Sequence, residues 1–212
     1  MCPMNEINRS KALIRKVFRD RAKREDVRPG SAAGLSSWPK QWQDRVREAR
    51  RIAVYRPLSD ELSLEKMMKD PELGPGKLCF PRVTGEKLRF FVADSEDLFE
   101  NGAFSIEEPV EGCEEVDPGE IDILLIPAVA YGKDGTRIGR GKGFYDRFVH
   151  HIFENCGTIE GKYLIGVIPE CRILGTIPSD PWDVKVDAIL TEERFIETPC
   201  VCAKRGWTFR HT

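Results

Sequence analysis

Apolar residues follow two periods along this chain. Recurrence every three or four residues predicts a helix with one buried face; alternation, or a short unbroken run, predicts a strand. The helical period appears first from Ser10, which can cap the helix. Leu13, Ile14, Val17 and Phe18 form its apolar face, and Lys11, Arg15, Lys16, Arg19, Arg21, Lys23 and Arg24 make the remainder basic. It returns from Trp38 to Arg50, where Trp38, Trp42, Val46 and Ala49 form a core stripe. A third helix begins near Ser63, with Leu64 and Met67-Met68, and a fourth at Phe144, with Phe148 and Ile152 on the same face.

Strand patterns fall at Ile52–Tyr55, Lys77–Val83, Lys87–Ala93, Ile121–Ile126, Tyr163–Ile168 and Ala188–Thr191, the last strand expected. The second and third face each other across Thr84-Gly85-Glu86 and predict a hairpin, with Phe90 and Phe91 in the core. Ile121–Ile126 is apolar except for Asp122, as in a buried parallel strand; Pro127 ends it, having no N–H for the ladder. Between these elements lie a Gly/Ser/Pro-rich loop at 27–37, an acidic loop at 110–120 and a turn at Pro178–Trp182. A tail over 192–212 follows, and its part from Glu197 to Thr212, carrying Lys204, Arg205 and Arg210, is expected to be loosely ordered. There is no internal repeat. Alternating strands and helices predict one α/β domain over 1–212, with its core at 10–191.

Composition narrows the class. At 212 residues with 41% hydrophobic content the chain can bury a sizeable core, and a net charge of −2 gives no global attraction to nucleic acid or membrane. Its 7 cysteines are scattered and odd in number, which favours reduced thiols and a cytoplasmic setting. Cys200 and Cys202 have no second pair to complete a zinc site. No long apolar stretch predicts a secretory signal or a membrane span. With only 3 histidines, general acid–base chemistry by imidazole is poorly supplied, and His150-His151 reads as a partly exposed helix end.

The candidate chemistry sits between the buried strand and the fourth helix. The loop there ends in Gly139-Arg140-Gly141-Lys142-Gly143. Glycines let backbone approach an anion, and a helix start presents free N–H groups. Arg137, Arg140 and Lys142 add full charges, and Asp146 offers a hard oxygen for Mg²⁺ beside phosphate. No Ser or Thr follows Lys142, so this is not a Walker A loop; the glycines lie too far past the strand for a dinucleotide fingerprint. A plain surface turn is the alternative.

The run Pro127, Tyr131, Gly135, Arg137, Ile138, Gly139, Gly141, Gly143, Phe144, Tyr145, Asp146 resembles the signature of the 5-formyltetrahydrofolate cyclo-ligase (5,10-methenyltetrahydrofolate synthetase) family. It departs from that pattern at Gly132, where the family usually has Asp, and at Ala128 and Ala130, which replace glycines. The resemblance covers about residues 10–191. It implies a three-layer α/β/α sandwich with a mostly parallel sheet, of the NagB/RpiA/CoA-transferase type, with a β-hairpin insertion near 77–93.

It also implies roles. Lys11 and Arg15, on one face of the first helix, join Arg137, Gly139, Arg140, Gly141, Lys142, Gly143, Phe144 and Tyr145 in an ATP site. Lys142 and Arg140 carry the catalysis. Glu61 contacts the pterin of the folate, with Tyr55 and Arg56 in the same loop; Arg140, Lys142, Phe144 and Tyr145 also face the substrate. Asp146 and Asp183 hold Mg²⁺, while Asp187 and the segment Gly102, Ile106, Glu108, Pro109 are structural. The implied reaction joins ATP and 5-formyltetrahydrofolate in a monomer, without nucleic acid or membrane. Two rivals stand beside it: a paralogue acting on another phosphorylated metabolite or inactive, and an RNA-binding module using the basic loop and helix.

Overall fold

The computed structural model describes residues 3–24, 29–102, 106–156, 161–180 and 182–199. Its elements run in chain order as α1 (Pro3–Arg24), α2 (Lys40–Glu48), β1 (Arg51–Ala53), α3 (Glu65–Met68), β2 (Leu78–Thr84), β3 (Lys87–Val92), β4 (Phe99–Asn101), β5 (Glu107–Pro109), β6 (Ile121–Pro127), β7 (Ala130–Gly132), β8 (Arg137–Ile138), α4 (Phe144–Cys156), β9 (Tyr163–Val167), β10 (Ile173–Leu174), β11 (Ala188–Leu190) and β12 (Phe195–Glu197), with short 3₁₀ turns between some of them.

Seven strands form the central sheet in the order β12-β11-β9-β6-β1-β2-β3. The five inner strands pair in parallel, and β3 and β12 close the two edges in antiparallel fashion. The predicted hairpin is therefore one margin of this sheet. Period two sends alternate side chains to opposite faces. Ile52, Ile123, Leu125 and Ile165 meet Trp42 and Val46 of α2 and Met67 of α3. Ala53, Leu124, Ile126 and Leu164 meet Phe148, Val149 and Ile152 of α4. Sheet and covering helices make the three layers. A smaller cluster joins Phe18 of α1 to Ile138 and Ile177, beside a second sheet ordered β10-β7-β8.

Five local expectations need correction. Ser10 does not cap α1; the helix starts at Pro3, and the Ser10 hydroxyl donates to the Glu6 carbonyl one turn back, at 3.0 Å. The apolar face of α1 is only half used, with Phe18 buried but Leu13 and Val17 exposed. Phe90 is buried, but its neighbour Phe91 points to the other side of β3 and is half-buried. Ala188–Leu190 is not the last strand, because β12 follows and pairs with it. Helix α2 starts at Lys40, just after Pro39. Cys2, Cys200, Cys202 and His211 lie outside the described residues. Among the described residues no helix is long and apolar enough to cross a membrane.

Candidate active site

The sheet order reverses between β1 and β6. From β6 the sheet grows toward β9 and β11; from β1 it grows toward β2 and β3. Loops leaving the carboxyl ends of strands at such a point diverge and leave a crevice. A cleft of about 570 Å³ lies there, lined by Tyr55 and Arg56 just past β1 and by Pro127 at the end of β6. That volume suits a small-molecule ligand. Every site residue named from the sequence lines this one cleft. Ala128, Ala130 and Gly132, where the signature departs from the family pattern, lie outside its walls.

The glycine loop forms one wall. Gly141 and Gly143 have φ of 97° and 68°, where a β-carbon is disfavoured, so these glycines allow the bend into α4. Gly139 needs no such freedom; its carbonyl accepts from Arg15 Nε at 2.8 Å, which ties the loop to α1. Arg147, absent from the sequence reading, holds the loop from behind. It donates to the Lys142 carbonyl at 2.9 Å and to the Glu86 carbonyl at 3.0 Å, and lies over the Phe144 ring. The Lys142 side chain is exposed at the mouth.

Most of the other cleft cations are matched to carboxylates. Arg137, buried beside the loop, donates to Asp146, and its Nε is buried without a partner among the described residues. Lys11 is buried between Asp180, at 2.7 Å, and Asp183. Asp183 also accepts the Asp180 N–H at 2.7 Å, so the two acids share one turn. Arg140 reaches Asp60 and Glu61, with Nε and Nη2 at 3.1 and 3.0 Å from Glu61 Oε1. The glycine loop and Glu61 are thus directly joined through Arg140. Behind Asp60 stands the buried Arg172, 3.4 Å away.

Glu61 is nine-tenths buried. Burial pushes its carboxyl up, while Arg140 and the Leu58 N–H, at 3.0 Å, draw it back. Arg56 pairs with Glu96 and lies 4.0 Å above the centre of the Phe99 ring. The buried Tyr55 hydroxyl donates to the Leu62 carbonyl at 2.8 Å, which braces the loop carrying Glu61. Burial also raises the Tyr145 hydroxyl far above its ordinary range. Asp187 is structural, as expected: it is buried and accepts the Leu164 N–H at 2.9 Å.

Asp146 and Asp183 are the metal candidates. Among the described residues no cluster of three or more His, Cys, Asp or Glu side chains could hold an ion. Two carboxylates on a shared cleft suit Mg²⁺ brought in with phosphates, which needs few protein ligands. Sequence reasoning named no partner for Lys11 and missed Asp180 altogether, and it took Glu108 and Ile106 as structural although both line the cleft. The GxxxIxEP spacing was the available signal for the latter two.

Known proteins resemble this chain in sequence and fold. The family model described as the 5-formyltetrahydrofolate cyclo-ligase family matches residues 8–192. The chain is 28% identical to a mouse 5-formyltetrahydrofolate cyclo-ligase over 71% of this chain and 77% of that one. It is 30% identical to the Haemophilus influenzae protein of the same name, over 68% of this chain and 76% of the other. An NMR structure of Aquifex aeolicus 5,10-methenyltetrahydrofolate synthetase superposes with a TM-score of 0.65 at 26% identity, covering 95% of this chain and 96% of that one. By sequence and fold, this chain belongs to the 5-formyltetrahydrofolate cyclo-ligase family of enzymes.

Proposed function

We propose that the chain converts 5-formyltetrahydrofolate and ATP to 5,10-methenyltetrahydrofolate, ADP and phosphate. The observation that supports this most is the joining of two different half-sites. A cationic glycine loop at a helix start suits phosphate, and it is tied through Arg140 to a loop bearing a buried glutamate.

The formyl carbonyl on N5 is amide-like and resists attack by N10. Its oxygen takes the γ-phosphoryl group of ATP, breaking the bond to the β-phosphate and releasing ADP. N10 then attacks the activated carbon, the C–O bond breaks, and phosphate leaves with the proton that N10 sheds. Both nucleophiles belong to the substrate, so the protein needs positioning and charge rather than a covalent nucleophile. Cys79 fits that picture as a bystander: burial pushes its thiol up to about 12.

Lys11, Arg15 and Arg137 turn to the ATP phosphates, the first and last leaving their carboxylate partners. Asp146 and Asp183, released in that exchange, would hold Mg²⁺, which when bound neutralises phosphate charge. Lys142, on the turn between two glycines, meets the γ-phosphoryl as it moves. Phe144 and Tyr145 pack the substrate against the loop, and Arg140 orders Glu61 toward the folate. Incubation with 5-formyltetrahydrofolate and Mg·ATP tests the reading. ATP-dependent growth of the methenyl near-ultraviolet absorbance, matched by ADP, is expected; ADP release without that band overturns it.

A further inference from the structure

A row of alternating charges, Arg172, Asp60, Arg140 and Glu61, ties three loops together. Asp60 and Glu61 follow β1, Arg140 lies between β8 and α4, and Arg172 follows β9. The Asp60 carboxylate is shared between the two arginines. Its Oδ1 accepts from Arg140 Nη2, and its Oδ2 lies 3.4 Å from Arg172 Nη1. The two ends of the row, Arg172 and Glu61, are buried, and the Arg140 side chain is 42% exposed. Arg140 and Glu61 line the cleft; Asp60 and Arg172 do not. The last two therefore stand behind the residues that meet a ligand. Arg172 also lies 5.8 Å from the centre of the Phe18 ring on α1.

Arg140 needs support of this kind. Its long side chain leaves a loop between two glycines, and an arginine fork is useful only when its plane is fixed. Glu61 accepts from Nε and Nη2, and Asp60 accepts from Nη2, so two adjacent carboxylates set that plane. Asp60 can do its share only while its own carboxylate is kept from turning. Arg172 holds the other oxygen, and a buried guanidinium is costly unless it keeps such a partner. We propose that Arg172 and Asp60 are positioning residues for the reaction: Arg172 fixes Asp60, Asp60 fixes Arg140, and Arg140 holds Glu61 toward the folate. Neither of the first two touches substrate. This rests on the folate reading above and leaves Arg140 and Glu61 in the roles given there.

Arg172→Gln and Asp60→Asn, singly and together, test it. Each breaks one charged link, and each should raise the KM for 5-formyltetrahydrofolate about tenfold with the KM for ATP unchanged. The double variant should be no worse than the worse single one, because both changes break the same relay; independent residues would multiply to about 100-fold. Arg172→Lys keeps the charge without the fork, so its folate KM should fall between those of wild type and Arg172→Gln. A merely structural Arg172 would lower the melting temperature and leave the folate KM unchanged. That result, or a 100-fold double variant, overturns the proposal. Asp60 is partly exposed, so Asp60→Asn keeps the test alive if Arg172→Gln does not fold: a normal folate KM in Asp60→Asn also overturns it. The two readings fail separately. A wild type that makes no methenyl product ends the proposed function, whereas indifferent variants beside an active wild type end this inference alone.

Discussion

Two helices wall the cleft, and they are held by opposite means. Helix α4 is fixed by apolar burial, with Phe148, Val149 and Ile152 packed against the sheet. Helix α1 leaves much of its apolar face outside: Leu13 is 62% and Val17 54% exposed. It is held instead by charge, through Lys11 between Asp180 and Asp183 and through Arg15 on the Gly139 carbonyl. Apolar packing is indifferent to which ion occupies the cleft. Ion pairs are not, because a phosphate competes for the same cations. So, on the proposed reaction, α4 is the fixed floor under the transferred phosphoryl group and α1 the wall that answers to what is bound.

The largest effect expected of that difference is on rate alone, at the α4 wall. Lys142→Ala removes an exposed side chain from a loop whose backbone is secured by Arg147. If Lys142 meets charge that develops as the γ-phosphoryl moves, kcat should fall about 10²- to 10³-fold, roughly 3–4 kcal/mol, with a smaller change in the KM for ATP. The melting temperature should not move. A variant with normal kcat and normal stability would leave the loop a mere turn.

At the α1 wall the same kind of substitution should disturb the fold as well. Lys11→Met leaves Asp180 and Asp183 facing each other without their cation. Losing one partner of a buried pair costs about 3–5 kcal/mol. The low end, about 3 kcal/mol or less, is expected, because Asp183 lines the cleft and water can reach it. The loss should be local: amide hydrogen exchange should speed up across α1 and stay slow in α4. Uniform protection in both helices would show that charge does not hold α1.

The same contrast explains what could be read in the sequence. Each strand of the central sheet except β12 was visible, because strand burial is written in adjacent residues such as Ile123, Leu124 and Leu125. The stripe Trp38, Trp42, Val46 was visible for the same reason. β12 was missed because Phe195-Ile196 is too short to declare a period, and only pairing with β11 makes it a strand. The α1 stripe was misread because periodicity shows that a face is apolar, not that a partner lies over it. The partners of Lys11 stand 169 and 172 positions away, and no local pattern encodes them. The glycine loop itself was legible; the pairing of its cations with Asp146, Asp60 and Glu61 was not.

A smaller effect separates function from stability at Glu61. Burial raises its carboxyl, so the folded chain takes up this proton at a higher pH than the unfolded chain does. The resulting stability is fully present below the ordinary carboxylate pKa and is lost as pH rises through the raised value. At neutral pH the charged form is therefore a burden on the free protein, and Asp60 remains to engage Arg140 in a variant. Glu61→Gln should melt at or above the wild-type temperature at pH 7–8, by about 1 kcal/mol or less. The gap should close as pH falls through the carboxylate range. Glu61→Gln should also raise the KM for folate, because the charge that Arg140 orders toward the substrate is lost. A variant less stable than wild type at neutral pH would mean that the Arg140 contact outweighs the burial.

The smallest effect is expected where the two helices differ most. Leu13 and Val17 occupy stripe positions on α1 that, on α4, are filled by core residues. Replacing both with Gln leaves a good helix former at each position, so propensity adds no loss to the result. If the structure is right about their exposure, the double variant should change stability by less than about 0.5 kcal/mol, a shift of roughly 1–2 °C for a chain of this size. If the stripe were core, as periodicity alone predicts, each truncated aliphatic side chain would cost about 2–5 kcal/mol, and the protein would melt roughly 10 °C or more below wild type. The two outcomes lie far enough apart for one thermal scan to separate them. The ATP-dependent rate, measured on the same sample, adds a second criterion. Because Lys11 and Arg15 project from other positions of the helix, the rate should persist if those charges hold α1 in place. A stable double variant that has lost its activity would mean that the exposed face, and not the charges, sets the position of the helix.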